Sequence, residues 1–196
     1  MNKHETLNMN HETLGNELLS PHFKLSEFTA SKTASDHGIA NVPPPEAVEN
    51  LRRLCQGCLE PLREALQLPV VITSGYRCQR LNELLVHAAR KSQHMEGRAA
   101  DFYISSAGFR FQDAGFRFQD SGSKAQVPSH RELLIKAFRL IITSPEIDFD
   151  QLILYPNFIH VSYVSKEKNR RGILLARRDG KLGYGRCTIA TALQIV

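Results

Sequence analysis

DFDQLILY (148–155) and FIHVSYV (158–164) are short apolar runs divided only by Pro156 and Asn157. A proline followed by asparagine cannot continue a helix and favours a turn, so the two runs read as a hairpin. Any fold open to this chain must therefore contain that antiparallel pair. Alternation along the second strand puts His160 on one face with Phe158 and Ser162, opposite Ile159 and Val161.

Other segments extend the same logic. PVVITSGYR (69–77) is a β-branched run closed by Ser74 and Gly75, and RAADFYIS (98–105) reads as another strand. NVPPPEAVENLRRL opens a helix with prolines and acidic residues in its first turn, and Pro61 downstream predicts a kink or break near Glu60. KLSEFTAS carries Ser26 as a cap, CQRLNELLVHAARK reads as a short helix, and SHRELLIKAFRLIIT (129–143) is an amphipathic helix capped by Ser129. The expected fold class is α+β, with a small, mostly antiparallel sheet and flanking helices.

At 196 residues the chain can bury a sizeable core without metal staples, so a metal would serve function rather than folding. Residues 1–19, with HETL at 4–7 and again at 11–14, read as a polar, disordered leader. The main domain is expected over 20–175. AGFRFQD occurs at 107–113 and again at 114–120, which marks an inserted surface loop near 106–127 or a small flap beside a site. Residues 176–196 form a C-terminal segment to which the pattern assigns no packing. The N-terminus lacks the apolar core of a secretory signal, and no run approaches a membrane span. The expectation is synthesis in the cytoplasm.

Net charge is +5, and basic residues gather at 166–181 without aromatic interleaving or a nucleic-acid motif, so no nucleic-acid partner is expected. Cys55 and Cys58 form a CxxC. They fall at helical spacing with Leu51, Leu54 and Leu62, and no second cysteine pair completes a zinc knuckle, so core packing is the reading.

SQHMEGRAAD (92–101) sets His94 and Asp101 on either side of Gly97, which frees the backbone to turn so that a loop residue and a strand residue converge. Catalytic zinc sites commonly combine three His or carboxylate ligands with one open position. His160, in mid-strand, is available as the third.

SQHMEGRAADF resembles the SxHxxGxAxD signature of the M15 zinc peptidases, the D-Ala-D-Ala carboxypeptidase and peptidoglycan L,D-endopeptidase family; Ser92, His94, Gly97, Ala99 and Asp101 fall on it. HFKLSEFTASKTASDHGIANVPPPEAVENLRRLCQGCLEPLRE, VVITSGYRCQRLNELL, FDQLI, FIHVSY and NRRGIL resemble further blocks in the same order, over about residues 20–104 and 147–175. The resemblance implies a hedgehog/D-Ala-D-Ala-peptidase-like zinc fold and a Zn²⁺ held by His94, Asp101 and His160. Such an ion lowers the pKa of water from ~15.7 towards ~7 for attack on an amide. It also implies that Arg77 faces a substrate carbonyl or carboxylate, and that Ser92 bonds substrate or steadies His94. The implied partner is a peptidoglycan stem peptide cleaved next to a D-amino acid, by an enzyme of phage-lysin type that a separate lysis system releases to the wall.

The family glutamate that accepts the water proton, often three residues before the last histidine, is replaced by Asn157, and no carboxylate lies between Asp150 and His160. An amide cannot take that proton. Asp148, Asp150, Glu96 or an acidic residue of the repeated loop could substitute, so no catalytic base is assigned. The alternative is a non-catalytic zinc-binding module for wall docking or structure.

Overall fold

The computed structural model describes residues 17–86, 88–107, 127–176 and 184–195. Strands β1 (Leu18–Ser20) and β2 (Phe23–Lys24) form a small antiparallel pair. Helices α1 (Leu25–Thr29), α2 (Lys32–Asp36) and α3 (Pro45–Leu54) follow. A π-helical turn (Cys55–Leu59) leads into α4 (Glu60–Leu66). Then come β3 (Val70–Ser74), α5 (Gln79–Leu84), a 3-10 turn (Gln93–Glu96), β4 (Ala99–Ile104) and α6 (His130–Thr143). The described chain ends with β5 (Gln151–Leu154), β6 (Ile159–Ser162), β7 (Gly172–Ala176), β8 (Tyr184–Cys187) and α7 (Ile189–Ile195).

The six strands β3 to β8 form one sheet in the order β3-β4-β6-β5-β7-β8, antiparallel except where β5 meets β7. This is the expected α+β class, and β5 and β6 are the hairpin read from 148–164. One face of the sheet is sealed. Ala100, Phe102, Leu152, Ile159, Val161 and Ile173 pack there with Leu51, Leu62, Leu134 and Phe138 of the helices. Asp101, His160 and Leu174 sit on the opposite face, and none of them is fully buried.

Pro61 acts as expected, and the structure shows how the break is absorbed. Proline has no N–H to give the Gly57 carbonyl four residues back. The helix widens into the π turn, and the Gly57 carbonyl accepts from the Asp148 N–H at 3.0 Å. Gly57 also has no room for a side chain, because a Cβ would stand 2.6 Å from the Tyr163 ring. Asp148 and Tyr163 flank the β5–β6 hairpin, so this turn is where the hairpin seats on the helices. Cys55 and Cys58 line the turn as buried, free thiols, in line with the core reading, and burial pushes both pKa values up.

Four expectations need correction or bounding. Leu18 and Leu19 do not belong to a leader: they form β1, and Leu19 is buried in the core. Ser26 lies inside α1; the cap is Lys24, whose N–H donates to the Glu27 carboxylate at 3.0 Å. The helix expected over 78–91 stops at Leu84, where Leu85 turns extended and Asn82 donates its amide to the Ala89 carbonyl at 3.0 Å. The C-terminal segment does pack, with β8 on β7 and Ala192 in the core. Residues 1–16 and 108–126, which hold both duplications apart from Ala107, lie outside the described residues.

Candidate metal centre

The central side chains come from three places. His94 projects from the 3-10 turn, Asp101 from mid-β4 and His160 from mid-β6. Register joins the last two, since Asp101 and His160 are direct cross-strand partners. The turn before β4 brings in His94, and Gly97 closes that turn with φ +68°, a left-handed conformation. A Cβ at Gly97 would also sit 2.2 Å from the Ala47 carbonyl oxygen, so glycine is required twice over.

The three side chains could hold a metal ion; one donor atom from each lies within 4.8 Å of the others. His94 Nε2 is 3.3 Å from His160 Nδ1 and 3.4 Å from Asp101 Oδ1, and His160 Nδ1 is 2.8 Å from Asp101 Oδ1. A tetrahedral ion with bonds of 2.0–2.1 Å spaces its donors by about 3.3–3.4 Å. Two edges match and the third is slightly short. Two imidazoles and a carboxylate are also a donor set that suits zinc.

The surroundings fix the protonation that such binding needs. His94 Nδ1 lies 2.7 Å from the Gly75 carbonyl, which can only accept, so the ring proton is on Nδ1 and Nε2 keeps its lone pair. Burial pushes His94 below the usual imidazole pKa, with Asp101 partly opposing. Burial alone would raise Asp101, but the close contacts with His160 and His94 outweigh it and hold the carboxyl well below the usual carboxylate range. Uncharged His94 and ionised Asp101 are therefore the resting forms near neutral pH.

Arg77 lines the same cleft, but its guanidinium is held by the protein. Nη2 donates to Asp101 Oδ2 at 2.8 Å and Nε to Ser74 Oγ at 3.0 Å. Ser92 caps the 3-10 turn, its Oγ accepting from the His94 N–H at 3.4 Å. Asn157 occupies the β5–β6 turn, where its carbonyl takes a hydrogen bond from His130 Nε2 at 2.7 Å.

Of the acidic candidates, Asp148 is bound to Asn169 and Arg171, and Asp150 is buried against Arg170 and Gln93. Glu96 lines the cleft and pairs with Arg98 at 2.7 Å. Apart from Asp101 it is the only carboxylate lining the cleft among the described residues.

Two supporting residues, Asn41 and Asn50, escaped the sequence reading, and a third, Asp150, figured there as a possible base and not as a support. The Asn41 amide donates to the Thr29 and Tyr76 carbonyls at 3.0 and 2.9 Å and accepts from the Cys78 N–H at 2.8 Å, which pins the loop carrying Arg77. Asn50, buried on α3, donates to the Glu96 carbonyl at 2.9 Å and holds the His94 turn. Asp150 accepts from Gln93 Nε2 at 3.0 Å and from Arg170 Nε at 2.8 Å, tying NRRG to the same turn. The only sequence signal for Asp150 was its place in the FDQLI block.

The cleft has a volume of about 760 Å³ and is lined by Arg77, Lys91, Arg98 and Arg170 against Glu96 and Asp101, an excess of positive charge. Tyr155 and Phe158 stack at 4.2 Å beside His160. No helix among the described residues is long and apolar enough to cross a membrane. The pattern of the family described as Peptidase M15 matches residues 21–120, just over half of the chain. A comparison with curated proteins returns no match.

Proposed function

The chain belongs to the M15 peptidase family, and from that premise we propose that it is a zinc-dependent peptidase that hydrolyses a bond next to a D-amino acid in bacterial cell-wall peptides. The observation that carries this reading is the convergence of His94, Asp101 and His160 within an open cationic cleft. Zinc held there would supply Lewis acidity and water of lowered pKa.

The remaining chemistry belongs to the chain. Arg77, fixed by Asp101 and Ser74, aims a permanent positive charge at the cleft, where it stabilises an oxyanion developing on the scissile carbonyl. Tyr155 and Phe158 offer an apolar shelf for the peptide. Glu96, which with Asp101 supplies the carboxylates lining the cleft among the described residues, is the proposed acceptor of the water proton. Carboxypeptidase or endopeptidase action both fit an open cleft, and release by a phage lysis system is the proposed route to the wall.

A second reading, a zinc-binding module without turnover, is favoured by the occupied state of Asp148 and Asp150 and by Asn157 at the family's glutamate position. Incubation of zinc-loaded protein with purified muropeptides, with His160→Ala as control, separates the two. Zinc-dependent release of D-alanine or of a cut stem supports the peptidase; zinc binding without any cut product overturns it in favour of the module.

A further inference from the structure

The register of the sheet draws one line through the site. Asp101 on β4 faces His160 on β6, His160 faces Ile153 on β5, Ile153 faces Leu174 on β7, and Leu174 faces Arg186 on β8. Cross-strand partners share a face, so the row leads from the metal group over two apolar side chains to an exposed arginine. The cavities follow the same line. The main cleft is lined by His160, Ile153 and Leu174, and a second cavity of about 260 Å³ continues from Leu174 to Arg186, sharing Gln151 and Arg170 with the first. Arg170 and Arg171 in that second cavity are bound to Asp150 and Asp148. Arg186 is its guanidinium without an acidic partner among the described residues.

We propose that Arg186 is a specificity residue that binds a carboxylate of the peptide substrate, with the peptide lying across the strands over Ile153 and Leu174. From β6 to β8 there are three strand steps, about 14 Å at ~4.8 Å each. An extended peptide covers that in about four residues. The recognised carboxylate therefore stands about four residues from the bond at the metal group. This inference rests on the peptidase reading for the identity of the ligand.

The test uses a synthetic cell-wall stem pentapeptide with free carboxylates and the same peptide with every carboxylate amidated. Both are titrated calorimetrically into the zinc-loaded full-length protein, wild type, R186Q and R186K, and cleavage of both is followed in parallel. Wild type is expected to bind the free form about tenfold more tightly, R186Q to bind both forms alike at an unchanged melting temperature, and R186K to recover part of the preference. In cleavage the loss falls on KM and leaves kcat in place. Equal binding of the two peptides by wild type, or an undiminished preference in R186Q, overturns the inference while zinc-dependent cleavage keeps the peptidase reading. Failure of wild type both to bind and to cut either peptide overturns reading and inference together.

Discussion

His94 donates its Nδ1 proton to the Gly75 carbonyl, 2.7 Å away, and Gly75 is itself wedged against the backbone of Phe28. The ligand face of one side chain is thus set by the position of a backbone oxygen nineteen residues earlier in the chain.

Gly75→Ala tests that dependence. Its Cβ would meet the Phe28 carbonyl oxygen at 2.5 Å, so the Gly75 carbonyl has to move. Zinc affinity, measured by competition with a chromogenic chelator, is expected to fall about 10- to 100-fold, as for loss of a partner that orients a metal histidine. His160→Ala should remove tight binding altogether.

Gly97→Ala should destabilise the fold by about 2–4 kcal/mol, combining a left-handed backbone with overpacking against Ala47. Urea unfolding gives the value. A change below about 0.5 kcal/mol would mean that the turn relaxes freely.

Stability should fall in acid. Burial alone would raise the pKa of Asp150, but the hydrogen bonds from Arg170 and Gln93 outweigh it and hold the carboxyl below its ordinary value. Glu60, bonded to Ser20 and His22, is held low against burial in the same way. A depressed carboxyl stabilises the fold fully above its unfolded pKa, and that contribution disappears as pH falls through the folded pKa. Urea midpoints should therefore hold between pH 7 and 5 and decline below about pH 4. Asp150→Asn should lower the neutral plateau by about 2–3 kcal/mol and flatten the acid slope.

Glu96→Gln should lower kcat on muropeptides about 100-fold with zinc affinity intact, the effect of removing a general base. Unchanged kcat would remove Glu96 from the mechanism. The exposed Glu83→Gln serves as a control for charge alone.

His94, Asp101 and His160 are legible through the resemblance of SQHMEGRAADF and FIHVSY to the M15 blocks, to which Gly97 and strand alternation add only a weak local signal. The hairpin, the capped helix α6 and the Pro61 break are legible from local turn, capping and proline signals. Asn41 and Asn50 were not, because a single buried amide leaves no periodicity and its partners lie 12 to 46 residues away. The row ending at Arg186 depends on the parallel pairing of β5 with β7, a long-range contact that neither strand announces.

The carbonyl that Pro61 strands at Gly57 has a further consequence for how the molecule assembles. Its hydrogen-bond partner arrives only when the segment before β5 docks, some ninety residues later in the chain. Until then the first helical layer carries an unanswered acceptor at the place where the hairpin must sit. Helix completion and delivery of His160 to the cleft are thereby coupled, so the layer and the hairpin should gain protection from hydrogen exchange as a single cooperative unit.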